Sequence, residues 1–324
     1  LIHYLATAGH DRHTMRRFRR WWAGPLAGRI RIHAYERFPG MAAAEPGLYV
    51  FSDLERLRPL ERAAAAELHA RLLAAGPAFR VLNDPLRALR RRELLAALHE
   101  RGVNPFRAWP AKGPFAAARF PVFVRTANAH EGSFTGLLHR PAEVEPAIRR
   151  ALRWRWRYRR EDLLVVEFLD TSDAGGTFRK YSAMRIGPAL LPRHLLFGEN
   201  WVVKKPGALD AARLREEQDF LDSFPHREEV QAAFEIAAIE YGRIDYAVLD
   251  GRIVVWEINT NPVVIPHPRR VAAPRLARNL RFAEQVIEAL SVIEAGLPPG
   301  PPLPLPRTGH AGMLPALLSR VWRP

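Results

Sequence analysis

One hairpin constrains this chain more than any other feature: residues 243–262 read RIDYAVLDGRIVVWEINTNP. Segments 244–249 and 252–258 have strand composition. Asp250-Gly251 between them supplies the positive-φ residues that a two-residue hairpin turn demands. Folding there returns the end of the second strand to the start of the first. Asp245 then lies beside Glu257 and Asn259, and those two, being two residues apart, share a face. Three hard oxygen side chains at one hairpin end suit magnesium, which takes few protein ligands and completes its shell with phosphate and water. Arg243, two residues before Asp245, can face the same site. Buried strands often end in polar residues; the combination of Arg-Ile-Asp, an Asp-Gly turn and Glu-Ile-Asn-Thr-Asn-Pro is far more restrictive.

The rest of the chain supplies a setting for that hairpin. Strands are expected at 2–6, 29–35, 47–51 and 79–82, with helices at 12–22, 60–75 and 86–101. This rhythm predicts a small sheet with helices on its faces. A linker-like stretch, 109–118, carries Pro110, Gly113 and Pro114. Beyond it come a strand at 120–125, a polar loop at 126–136, a helix at 142–154 and a buried strand at 163–169. A hairpin of 178–186 and 190–196 turns at Gly187-Pro188. Helices are expected at 228–241, closed by Gly242, and at 274–290. The fold class is α/β (α+β). The expected organisation is an N-terminal αβ domain over 1–110, a second domain over 111–292 and a Pro-rich C-terminal tail over 293–324.

Composition narrows the function classes. At 324 residues and 48% hydrophobic, the chain can bury a substantial core, and no apolar run reaches the roughly 20 residues that cross a bilayer. No membrane association is expected. The absence of cysteine removes disulfides, thiolate zinc sites and cysteine nucleophiles, and fits a cytoplasmic location. The net charge is +15, yet only four of the 49 basic residues are lysine: Lys112, Lys180, Lys204 and Lys205. Abundant Arg, Ala and Pro together point to GC-rich coding. The reading is a solvated basic surface with an anionic nucleotide site, and nucleic acid is not expected as a partner.

On Arg243, Asp245, Glu257 and Asn259 the sequence resembles the ATP-grasp superfamily, especially its D-alanine–D-alanine ligase, glutathione synthetase and ribosomal-protein glutamate ligase branches. Those enzymes place Asp on one strand and Glu-x-Asn on the next. The resemblance runs from about residue 81 to about residue 290. It implies an ATP-grasp domain over 111–292 behind a pre-ATP-grasp domain, with ATP and Mg2+ as cofactors. The implied activity is ligation: a small-molecule or peptide carboxylate is activated as an acyl phosphate for attack by an amine or similar nucleophile. The resemblance makes Asp245, Glu257 and Asn259 the metal ligands, with Arg243 and Arg179 on the reacting phosphate or substrate. Arg125 stands where the family has a phosphate-binding lysine. Gly132 and Ser133, after His130, belong to a loop that covers ATP. Glu167, Phe168 and Leu169 resemble the adenine hinge, and Lys204 follows Trp201 along the site wall, with Arg193 and His194 nearby. Another family lysine has Arg90, Arg91 and Arg92 as candidates here. Strand alternation puts Arg179 with Tyr181 and Lys180 on the opposite face, and Arg179 is expected to be the functional one. Two other readings keep the scaffold: a small-molecule kinase, and a non-catalytic basic protein that binds nucleic acid or a partner. The retained Asp, Glu and Asn argue against the second.

Overall fold

The computed structural model describes residues 1–305 apart from 116, 130–131, 156 and 204–209. Its first layer is a parallel sheet. Strand β1 (Ile2–Ala6) is followed by helix α1 (Met15–Trp21) and β2 (Ile30–Ala34). A two-residue strand, β3 (Ala43–Ala44), precedes β4 (Gly47–Phe51), helix α2 (Pro59–Ala74) and β5 (Phe79–Leu82). The sheet order is β2-β1-β4-β5. Every residue of β1 and β4 is buried, as central parallel strands covered on both faces require. Leu5, Tyr49 and Phe51 pack with Ala65, Leu68 and Leu72 of α2, while Ile2, Tyr4, Leu48 and Val50 pack with Met15 and Phe18 of α1.

Helix α3 (Arg91–Glu100) leads into an antiparallel sheet of order β6-β8-β7, made of β6 (Ala108–Pro110), β7 (Val122–Thr126) and β8 (Leu163–Glu167). Between β7 and β8 runs helix α4 (Pro141–Trp154). Its stripe of Val144, Ile148 and Ala151 is buried, and the first two pack on Val122, Val124, Leu163 and Val165. A second antiparallel sheet has the order β10-β9-β11-β12, from β9 (Phe178–Ile186), β10 (Ala189–Gly198), β11 (Tyr241–Leu249) and β12 (Arg252–Asn259). Helices α5 (Ala211–Ser223) and α6 (Arg227–Ala237) cover one of its faces through Phe220, Val230, Ala233 and Phe234 against Ala183, Leu195, Phe197, Ile244, Tyr246 and Val255. Helix α7 (Leu276–Ala295) packs Phe282, Val286 and Leu290 with Met184, Ile186 and Tyr241 and with residues of β1 and β4. The final strand, β13 (Leu303–Pro304), pairs with β3.

Several elements depart from the sequence expectation, each for a local reason. The helix expected from 86 begins only at Arg91. Residues before it are held open because Arg62 donates to the carbonyls of Pro85, Leu86 and Ala88, and Leu89 N–H donates to Ala237 O. Within the linker-like stretch, 108–110 pairs with β8. Helix α5 was not anticipated; Asp210 caps it by accepting from Arg213 N at 2.8 Å. Gly242 does not close α6, which ends at Ala237 with Ala238 left-handed (φ 52°). Asn83 explains that early stop. Its side-chain oxygen accepts from Glu240 N (2.8 Å) and Tyr241 N (2.9 Å), while Nδ2 donates to Phe51 O and Tyr241 O. This fully satisfied amide joins the parallel sheet to the start of β11.

Candidate functional site

The hairpin closes through Asp250 (φ 50°) and Gly251 (φ 75°), both in the left-handed region that a type I′ turn uses. Its register pairs Arg243 with Asn259 and Asp245 with Glu257. Between Asp245 and Tyr246 the register shifts and Trp256 is the extra residue, so a bulge interrupts the alternation. As a result Trp256 and Glu257, although consecutive, both line the same cavity. The row continues across the sheet. Asp245 pairs with Ser182 of β9, and Ser182 with His194 of β10. His194, Ser182, Asp245 and Glu257 thus form one cross-strand line on the face opposite α5 and α6.

Both carboxylates are held by cations. Asp245 Oδ2 accepts from Lys180 Nζ at 3.1 Å, and Oδ1 lies 3.0 Å from the Ser182 hydroxyl and 3.3 Å from Arg243 Nε. Burial opposes its ionisation, but Lys180 and Arg243 outweigh that and hold the carboxyl below the usual range. Glu257 Oε2 accepts from Arg125 at 2.8 Å and from Arg91. Arg91 is buried at the start of α3 and also donates to the carbonyls of Thr126, Ala127 and Ala129, anchoring the beginning of the glycine loop to the carboxylate. Burial, with Arg91 beside it, pulls Arg125 down to about 10. Four cations (Arg91, Arg125, Lys180, Arg243) therefore surround two carboxylates, and the excess positive charge suits a phosphate chain.

Of these, Arg125, Lys180, Arg243, Asp245 and Glu257 edge a cavity of about 350 Å³. Arg125, Gly132, Ser133, Arg179, Arg243, Asp245, Glu257 and Asn259, all proposed from sequence, line it together with Phe168 and Leu169. An aromatic wall occupies another part. Trp201 lies 4.7 Å from the Phe123 ring and 5.8 Å from Phe168, and Trp256 stacks on Phe106 at 5.3 Å. Thus Trp201 both packs and lines the cavity.

Other expectations change. Glu167 is not at the cavity. Its buried carboxylate accepts from the backbone N–H groups of Arg107 (2.8 Å) and Arg119 (2.7 Å) and pairs with the Arg119 guanidinium, so it fastens β8 to neighbouring loops. Arg179 reaches the cavity wall, but its guanidinium is committed to Glu216 of α5 and to Asp173, both at 2.5 Å. Lys180, on the face set aside by sequence reasoning, is the β9 cation that meets Asp245. Arg193 turns toward Val264 O and Asn279 of α7. Of the candidates Arg90, Arg91 and Arg92, it is Arg91 that pairs with Glu257. Lys204 and His130 lie outside the described residues.

Comparison of the whole structure with solved ones returns D-alanine–D-alanine ligase from Bacillus anthracis, matched over 90% of this chain and 98% of that one, with a TM-score of 0.52 at 13% identity. The chain has the ATP-grasp fold. The same ligase complexed with ATP matches at 13% identity and TM-score 0.49, over 90% and 98% of the two chains. A RimK-domain ATP-grasp protein from Sphaerobacter thermophilus matches at 14% identity and TM-score 0.46, over 90% and 100%. No protein-family model and no curated protein matches the sequence.

Asp245, Glu257 and Asn259 pass a chemical test for magnesium. Their donor set is two carboxylates and an amide, all oxygen. Among the described residues there is no cluster of three or more His, Cys, Asp or Glu side chains that would enclose an ion without help from phosphate or water. A carboxylate has about four lone-pair sites, so Asp245 and Glu257 retain acceptor capacity while ion-paired.

Proposed function

We propose that this protein is an ATP- and magnesium-dependent ligase that activates a carboxylate as an acyl phosphate for attack by an amine or similar nucleophile. The observation that carries the reading is the Asp245–Glu257 pair, with Asn259 beside it, edged by Lys180, Arg125, Arg91 and Arg243 at one cavity. Phosphoryl transfer asks a protein for positioning and charge neutralisation rather than for a nucleophile of its own, and this constellation provides both. Asp245, Glu257 and Asn259 would hold magnesium, which neutralises charge on the transferring phosphate. Lys180, Arg125 and Arg243 bind and orient phosphate oxygens. Gly132 and Ser133 bring small side chains and backbone N–H groups to the same region. The aromatic wall of Phe123, Phe168, Trp201 and Trp256 offers flat apolar surface to a nucleobase and excludes water from that end. The acceptor is proposed to be a small molecule or a peptide.

Calorimetric titration with a non-hydrolysable ATP analogue, with and without magnesium, tests the reading. The wild-type chain should bind more tightly with the metal, and Glu257→Gln should weaken the metal-dependent part about 10- to 100-fold. Equal affinity with and without magnesium in the wild type would remove the metal assignment.

A further inference from the structure

At the C-terminal edge of the parallel sheet, β1 and β4 end side by side where the strand order reverses direction, a place where open α/β sheets bind ligands. The chain there carries a polar group that the cavity above does not use. His10 Nδ1 lies 2.7 Å from Asp53 Oδ1. Asp53 is almost completely buried, and its Oδ2 accepts from the Thr7 backbone N–H at 3.1 Å and from the Thr7 hydroxyl. Its backbone is left-handed, with φ 60°, a conformation uncommon for a residue other than glycine. Burial works against the Asp53 charge, but His10 and Thr7 hold the carboxyl below its usual range.

Two contacts tie this pair to the metal-side hairpin. Asn261 Nδ2 lies 3.1 Å from the same His10 nitrogen, a neighbour and not a hydrogen-bond partner when that nitrogen carries the proton, and Asn261 Oδ1 accepts from the Tyr4 hydroxyl at 2.8 Å. Asn261 follows Asn259 by two residues, about 7 Å of extended chain. A cavity of about 330 Å³ is lined by Thr7, Ala8, Arg16, Arg37 and the two chain neighbours of His10, Gly9 and Asp11, and the His10 side chain itself keeps 31% of its surface exposed. An ionised Asp53 can only accept, so the neutral imidazole that faces it carries its proton on Nδ1 and its lone pair on Nε2.

The geometry points to His10 as the general base that deprotonates the incoming amine, with Asp53 as the residue that positions it. This assignment rests on the ligase reading. In the step, the amine nitrogen forms a bond to the acyl carbon and the bond from that carbon to the phosphate oxygen breaks. Its electron pair leaves on inorganic phosphate, and the proton shed by nitrogen passes to His10 Nε2.

The test uses the full chain with ATP, magnesium and a panel of carboxylates, namely the twenty common amino acids and simple dicarboxylic acids. The nucleophile is either hydroxylamine or the same amino acids. Hydroxylamine is largely unprotonated at neutral pH and captures an acyl phosphate without a base; amino-acid amines are protonated and need one. Hydroxamate and amide are measured separately. In His10→Gln the amide-to-hydroxamate ratio should fall about 100-fold or more, and Asp53→Asn should lower it in the same direction. Hydroxamate formation in each variant also reports that it has folded. An unchanged ratio in both variants overturns the dyad and leaves the ligase reading standing. No hydroxamate from the wild type with any carboxylate overturns the ligase reading and, with it, the step assigned to His10.

Discussion

Lys180 and Arg179 are neighbours on β9 with different tasks. Arg179 is neutralised by two carboxylates, Glu216 and Asp173, whereas Lys180 shares Asp245 with Arg243 at the cavity edge. Lys180→Met should therefore weaken ATP-analogue binding about 10- to 100-fold, the loss of one charge-assisted contact, while Arg179→Met should change it less than about threefold. Fluorescence titration of the two variants measures the difference, and a larger loss in Arg179→Met would return the role to Arg179. Strand alternation was legible at these positions, because Lys180 and Arg179 do face opposite ways. What the sequence did not show was which of the two cations meets Asp245, since Glu216 on the unanticipated helix α5 claims Arg179. The choice of Arg91 among the candidates Arg90, Arg91 and Arg92 was illegible for another reason. A guanidinium on an otherwise polar helix start reads as solvated, and only the fold brings Glu257 and three carbonyls to it.

At the scale of elements, the hairpin was legible because its information is local. Asp-Gly sets the turn, and a turn sets a register. The bulge at Trp256 was not legible, because a register shift is a property of two strands together. Gly251→Val places a β-branched residue at φ 75° and should cost about 1–2 kcal/mol by urea unfolding. Asn83 is the more sensitive position. Its replacement by alanine leaves backbone groups of Phe51, Glu240 and Tyr241 without their buried partner, and stability should fall by about 2–4 kcal/mol in the same assay. The backbone groups that Asn83 holds after α6, Glu240 N and Tyr241 N, lie 157 and 158 residues further along the chain, so this role could not be read from local signals.

At the scale of the whole molecule, acid should unfold the chain partly through its buried histidines. His3, stacked on Tyr49 at 4.3 Å, has its pKa pushed down to about 3, first by burial and then by His33. A histidine with a depressed folded-state pKa costs nothing above its unfolded value of 6.5. As pH falls from there toward 3, the unfolded chain takes up a proton that the folded chain refuses, and stability declines. Urea midpoints measured between pH 7 and pH 4 should show this slope, and His3→Phe should flatten it; an identical slope in the variant would assign the effect elsewhere. The parallel-sheet and hairpin patterns were readable across this scale, whereas the closure of the site was not, because it depends on pairs such as Arg91–Glu257 and Arg125–Glu257 formed between distant segments. Those pairs also fix how two ligands would communicate. Each carboxylate already has a cation, so under the proposed function phosphate arriving at Arg125 and Lys180 would release oxygens on Glu257 and Asp245, and an ion captured by those oxygens would release the cations in turn. Nucleotide and metal would then be thermodynamically linked through exchanged counterions: whatever factor magnesium adds to the affinity for ATP, ATP must add to the affinity for magnesium.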